Sequence, residues 1–305
     1  MAHQALVRLT VVGVRQRSFG IREGDPTALD ALSASGVYAH AGVPYEYVEP
    51  TLAPIDTARE EEPQLGIASG MIAKKVADAL TAGHAVAMTG GDCRHSVAVL
   101  GGLQKAYGAA ARIGLVWMDA HGDCNTTHTT LSGMLGGMPV AVMAGLTCPR
   151  WREGAGIVAP LPSDRIVLVD VRNLDAPEEA LIRATDTTIA AIGPGREGVD
   201  LAEAVGLLAS KCELIYLHID ADIVDASLVP NHITQESEGP DVLTVCAAIR
   251  TVMATGKVGA FALVSIAGAG PGSDVSVASG TALISAGLKS WAEEGMARVD
   301  GDKPM

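Results

Sequence analysis

The stretch "VWMDAHGDCNTTHTTLSG", Val116–Gly133, begins at the end of an apolar run and turns polar at Asp119. A short apolar run closed by turn residues reads as a strand buried on both faces. Asp119, His121 and Asp123 then alternate directly after it. Period-two geometry sends all three side chains to one side. Two carboxylates and an imidazole converging there are costly to desolvate unless a cation neutralises them.

The pattern returns in "YLHIDADIVDASLVPNH", Tyr216–His232, where Asp220 and Asp222 close another apolar run and Asp225 follows. A third strand end, "TGGDCRHS" at Thr89–Ser96, brings Asp92, Cys93 and His95. Either aspartate motif alone is explained by a helix cap or an Asx-turn. Together, each behind a buried strand, they offer carboxylates and a histidine in number enough for two divalent ions of hard or borderline character. A site of this kind lowers the pKa of a water and supplies hydroxide near neutral pH. His218 shares the side of Asp220 but lies deeper, and reads as a structural residue.

Working outward, strand-like runs lie at Val7–Val14, Tyr45–Val48, Ala85–Thr89, Ile113–Met118, Arg165–Val171, Thr188–Ile192, Glu213–Ile219 and Val258–Ile266. Helical patterns fill Thr27–Ala41, Leu65–Ala82, Ser96–Tyr107, Ser132–Ala144, Pro177–Ala184, Asp200–Ser210, Asp241–Ala254 and Val275–Glu293. This alternation predicts one α/β domain over residues 1–305, a parallel sheet covered on both faces, with ligands at the carboxyl ends of the strands. The charged, turn-rich end, 294–305, predicts a loose tail.

Composition narrows the function classes. The 305 residues are 48% apolar but only 3% aromatic, so the core is built from Ala, Val, Leu and Ile. No apolar run reaches bilayer length and the first residues lack a secretory pattern, which predicts a cytoplasmic protein without a membrane partner. Five scattered cysteines argue against a disulfide framework. A net charge of −13 disfavours a nucleic-acid surface. The loop "GAGPGSD", Gly268–Asp274, lacks the Lys-Ser/Thr of a phosphate loop and reads as a glycine turn.

The segments "DAHGDCNT" and "HIDADIVDA" resemble the two most specific signatures of the ureohydrolase superfamily of arginase, agmatinase and formimidoylglutamase, and the likeness runs from "GIREGDPTAL", Gly20–Leu29, to the last strand. It implies a three-layer α/β/α fold with a parallel eight-stranded sheet, a homo-oligomer of three or six chains, and hydrolysis of guanidino or related C–N bonds by a dimanganese hydroxide. Asp119 and Asp220 would bridge two Mn²⁺ ions. Asp123 would complete one shell and hydrogen-bond the hydroxide; His121 and Asp222 would complete the other. Cys93 stands where the family's first motif has a metal-binding histidine, and the following "RHS" looks like a small insertion.

Asn125, Thr130 and Ser132 keep the arginase spacing from Asp123, and "DVRNLDAPEE" resembles the arginase segment that reaches the α-amino group, pointing to Asp175 and Glu178. The implied substrate is a small arginine-like amino acid. Three departures fall at the reactive end: Cys93, Gly136 in place of the family's proton-shuttling histidine, and Ser265 or Ala267 near the place of the guanidinium-binding glutamate. They suit a less basic group, such as the N-hydroxyguanidine of N-hydroxy-arginine, with His128 and His232 as replacement proton carriers. Two alternatives stay open: a pseudoenzyme or binding subunit, and a cysteine-dependent amidinohydrolase using Cys93 with His95 as base.

Overall fold

The computed structural model describes residues 5–16, 28–193 and 195–296. Residues 20–27 of the first resembling segment and 297–305 of the expected tail lie outside them. The apolar runs form strands β1 (Leu9–Val14), β2 (Tyr45–Val48), β3 (Ala85–Gly90), β4 (Ile113–Met118), β5 (Ile166–Val169), β6 (Thr188–Ala191), β7 (Val199–Asp200), β8 (Leu214–Asp220) and β9 (Val258–Val264). Between them run helices α1 (Leu29–Ala34), α2 (Glu61–Thr81), α3 (Cys93–Tyr107), α4 (Pro139–Met143) and α5 (Pro149–Gly154). The second half adds α6 (Ala176–Arg183), α7 (Leu201–Lys211), α8 (Val242–Met253) and α9 (Ser273–Glu294).

The strands make one parallel sheet in the order β2-β1-β3-β9-β8-β4-β5-β6-β7. Nine strands replace the eight expected. The addition, β7, is an edge pair of residues, of which the sequence assigned Asp200 to the start of a helix and left Val199 unassigned. Asp200 caps α7 from an extended backbone, and that extension lets Val199 register against Ala190.

Alternation along each central strand divides the core into two. Val116 and Met118 of β4 join Ile215 and Leu217 of β8 under α7, α8 and α9. Leu115 and Trp117 join Leu214 and Tyr216 on the opposite face, under α2, α3 and α5. Both faces are thus apolar, as a parallel sheet requires. No helix among the described residues is long and apolar enough to cross a membrane.

Two expected helices are interrupted where glycine permits a left-handed turn. Thr27–Ala41 breaks at Gly36 (φ 73°), and Ser132–Ala144 is open at Gly133 (φ 74°), leaving only α4 after Pro139. Conversely, "RHS" is helical. Arg94, His95 and Ser96 form the first turn of α3, which starts at Cys93 because the Asp92 carboxylate accepts from the Arg94 amide.

The arrangement places the polar motifs together. β8 and β9, made last, fill the space between β3 and β4. The carboxyl ends of these four adjacent strands carry Cys93, Ser265, Asp220 and Asp119, the location where open α/β sheets bind ligands.

Candidate metal centre

Backbone and side-chain donors fix each carboxylate. Asp119 accepts from the His121 amide (2.7 Å) through Oδ1 and from Trp117 Nε1 (3.1 Å) through Oδ2. Asp220 Oδ1 accepts from the Asp222 amide (3.0 Å), and Asp220 Oδ2 from the Ser265 hydroxyl (2.7 Å). Asp222 Oδ2 accepts from Thr234 Oγ1 (2.8 Å). Asp123 (φ 47°) and Ser265 (φ 68°) hold left-handed backbones that are unfavourable for residues with a side chain. Such strain gathers at functional sites because packing elsewhere over-determines it.

Three overlapping groups of donors result, within each of which the ligand atoms lie within 4.8 Å of one another: Cys93, Asp119, His218 and Asp220; Asp119, His121 and Asp222; Asp220, Asp222 and His232. Each pair of groups shares one carboxylate residue, an arrangement suited to two neighbouring cations. Asp123 lines the same cavity outside these groups, and its buried Oδ2 has no hydrogen-bond partner among the described residues. An orphan buried carboxylate oxygen fits a missing positive partner. The donor set therefore fits divalent metal.

Electrostatics agree. Burial and the neighbouring Asp222 push the Asp119 carboxyl well above the usual range, and burial with Asp119 does the same to Asp123. Burial opposes protonation of His121, but hydrogen bonds to Asp119 and Asp222 outweigh it and raise its pKa. His218 is fully buried and pushed down to about 3, so its imidazole is neutral.

The cavity above the cluster has a volume of about 260 Å³, suited to a small molecule. Its lining includes Cys93, Asp119, His121, Asp123, Asn125, Ser132, Asp175, Glu178, Asp220, Asp222 and His232. Asn125 Nδ2 donates to Asp175 Oδ2 (3.3 Å), and Glu178 Oε1 accepts from the Cys124 amide (2.8 Å). Gly122 makes this possible: a Cβ there would meet Glu178 Oε1 at 2.8 Å.

Other expected residues fall elsewhere. His128 is exposed in the turn after Thr126, bonded to Thr127 Oγ1 (3.2 Å), and does not reach the cavity. Thr130 also stays off the lining and instead accepts from the Gly133 amide, shaping the loop that carries Ser132. His232, expected as a mobile proton carrier, is only 5% exposed and sits 3.2 Å from Asp220 Oδ1. His95 turns away from Cys93: its Nδ1 accepts from the Asp92 amide (3.2 Å), completing a capping box. Asp225 caps the short turn at Ala226–Leu228.

Two residues of the site, Glu236 and Arg94, were not anticipated, and His218, which reads in sequence as structural, joins them. His218 points Nε2 to 3.5 Å from Cys93 Sγ. The same period-two spacing that selected Asp220 was the available signal for it. Glu236 lies 3.1 Å from His121 Nε2 and accepts from Asn173 Nδ2 (3.0 Å), from a loop with no sequence signal. Arg94, ion-paired with Asp92 and Glu61, lines the wall beside Gly136, whose added Cβ would stand 4.0 Å from Arg94 Cζ.

A model of the arginase family matches residues 15–286. The arginase of Bacillus caldovelox is 33% identical over 144 residues, 46% of this chain and 47% of its own. The N(omega)-hydroxy-L-arginine amidinohydrolase of Streptomyces lavendulae is 38% identical over 116 residues, 38% of each chain. The chain thus spans about half the length of the first curated relatives it matches, or less. In structure, the Bacillus caldovelox arginase superposes with a TM-score of 0.79 over 93% of this chain and 98% of its own, at 22% identity, a likeness of fold. Formimidoylglutamase of Bacillus subtilis gives 0.69 over 97% and 90% at 13% identity. The extent of the family match, with the parallel sheet and the aspartate motifs at its centre, establishes that this chain belongs to the arginase family.

Proposed function

We propose that the protein is a metal-dependent amidinohydrolase that cleaves a C–N bond of an arginine-like amino acid whose reacting group is less basic than a guanidine, N-hydroxyguanidine foremost. The supporting observation is the cavity itself: its lining joins Asn125, Ser132, Asp175 and Glu178 to the aspartates of the shared-carboxylate donor groups. Asp119, His121 and Asp222 would hold one divalent ion; Cys93, Asp119, Asp123 and Asp220 would hold the other, with Mn²⁺ the first expectation for so many carboxylates. Bound there, the ions supply Lewis-acid activation of water at neutral pH.

The chain's own residues do the remainder. Asp175 orients the Asn125 amide, and this pair with Ser132 holds the amino-acid end. Asp123, with its unpartnered Oδ2 at the cavity, accepts a proton from the attacking water and returns it to the leaving nitrogen. No carboxylate side chain stands at 265–268 to pair with a guanidinium. This disfavours a cationic reacting group. The Streptomyces lavendulae relative bears the name of the activity preferred here.

The test is turnover by the Mn²⁺-loaded protein of L-arginine, N-hydroxy-L-arginine and a ureido amino acid. The expected result is release of hydroxyurea and ornithine, with kcat/KM above that for arginine by about tenfold or more, 1.4 kcal/mol in the transition state. Preference for arginine overturns the substrate assignment. Bound metal with no turnover of any member supports the pseudoenzyme alternative. The cysteine-nucleophile alternative loses ground, because His95, its required base, turns away from Cys93 and caps α3. The assembly of three or six chains implied by the resemblance is part of this reading, and sedimentation equilibrium checks it.

A further inference from the structure

His218 is an imidazole in the donor cluster that the family signatures do not assign. It lies on β8 two residues before Asp220, is fully buried, and stacks on Trp117 with ring centroids 3.4 Å apart and planes 15° from parallel. That stack, with no hydrogen bond to Nδ1 among the described residues, sets the ring's direction. Nε2 is directed to Cys93 Sγ at 3.5 Å, and the sulfur in turn lies 2.8 Å from Asp220 Oδ2 and 3.6 Å from Asp119 Oδ2. The four donor atoms fall within 4.8 Å of one another. Ligands on a common ion have this spacing, since two metal–donor bonds of about 2.0–2.3 Å placed back to back span roughly 4.5 Å. Cysteine is also shorter than histidine. The space that a short side chain at 93 leaves is filled from the sheet side by the imidazole of 218.

We infer that His218 is a metal ligand, joining Cys93, Asp119 and Asp220 in a mixed nitrogen, sulfur and oxygen set that takes a softer ion, Zn²⁺ or Co²⁺, than the neighbouring His121, Asp119 and Asp222 group. The inference rests on the metal-centre reading above and adds to it an imidazole delivered from the strand. It follows that the two positions are chemically unequal. Thiolate and imidazole favour borderline ions, while the carboxylate-rich neighbour favours Mn²⁺.

The experiment is a Co²⁺ titration of the metal-free full chain, read by the thiolate-to-cobalt charge-transfer band and by the visible ligand-field bands. His218→Phe keeps a ring to stack on Trp117 but cannot ligate; Cys93→Ser removes the sulfur. Wild type should show the sulfur band and Cys93→Ser should lose it. His218→Phe should retain the band but bind that ion at least about tenfold more weakly, with altered visible bands. Equal affinity and identical visible bands in His218→Phe overturn the inference while leaving the metal centre standing. Failure of the wild type to take up any ion overturns both. X-ray absorption of the wild type at one equivalent of Zn²⁺ needs no variant: sulfur together with imidazole nitrogen supports the assignment, and sulfur without imidazole overturns it.

Discussion

His121 shows how a single proposed ligand is aimed. Its Nδ1 lies 3.2 Å from both Asp119 Oδ1 and Asp222 Oδ2, while Nε2 faces Glu236 Oε1 at 3.1 Å. A carboxylate on the outer nitrogen holds the proton there and leaves the inner lone pair for a cation. Glu236→Ala should therefore weaken ion binding at the His121 position by about 10–100-fold, with Glu236→Gln, which keeps an acceptor oxygen, closer to wild type. Calorimetric titration with Mn²⁺ distinguishes them. At the other end of the cavity, Gly122→Ala would drive a methyl into Glu178 Oε1 and Leu174 Cδ2, each 2.8 Å from an ideal Cβ. Its expected signature is a KM raised about tenfold with a smaller change in kcat, because Glu178 lines the part of the cavity proposed to hold the substrate's amino-acid end. Asp119, His121, Asp123, Asp220 and Asp222 were legible in sequence because their alternating spacing follows two apolar runs, although of the five only Asp220 lies in a strand: Asp123 turns left-handed and Asp222 sits in a 3-10 turn. Glu236 was not, because its approach depends on the path of a loop.

At the scale of elements, glycines set how closely helices pack. A Cβ on Gly101 of α3 would stand 1.9 Å from the Ala155 carbonyl oxygen. Gly→Ala in a helix interior gains about 1 kcal/mol of propensity. Overpacking against an immovable backbone costs about 1–3 kcal/mol or more, so the clash wins. Gly101→Ala should lower the urea midpoint without changing m. The edge of the sheet is tied differently: Arg15, just after β1, donates to Asp30 of α1 (2.8 Å) and to Glu49 after β2 (2.8 Å). Hydrogen bonds from Arg15 lower the pKa of both carboxylates. A depressed folded pKa gives stability that is present above the ordinary carboxylate value and lost as pH falls through the folded one. The loss in Tm on acidification below about pH 4 should therefore be smaller in Arg15→Met than in wild type. With Arg15 43% and Asp30 73% exposed, the effect stays under about 1 kcal/mol. Strand positions were largely readable from apolar runs. Helix breaks at Gly36 and Gly133 were not, because apolar periodicity runs across a glycine whether or not its φ is positive.

For the whole molecule, the proposed metal binding would be coupled to folding. Asp119 and Asp123, which follow β4, are carboxyls that burial pushes toward neutrality, so an ion that binds only the folded chain would stabilise it by mass action. At free metal about a hundredfold above Kd, one ion contributes about 2.7 kcal/mol. Chelation should lower Tm and restored Mn²⁺ should recover it; a Tm indifferent to both would speak against a site built in the folded state. The sequence by itself determined the α/β class, the family likeness and the five Asp and His residues of the two motifs, since apolar periodicity and motif spacing are local properties. Only the tertiary structure decided which residues from distant segments meet them. It inserted β8 and β9 between β3 and β4, turned His95 into a cap, left His128 in solvent and brought His218 against Cys93. Those outcomes follow from strand order and helix capping across the fold, where residues 125 positions apart come within 3.5 Å.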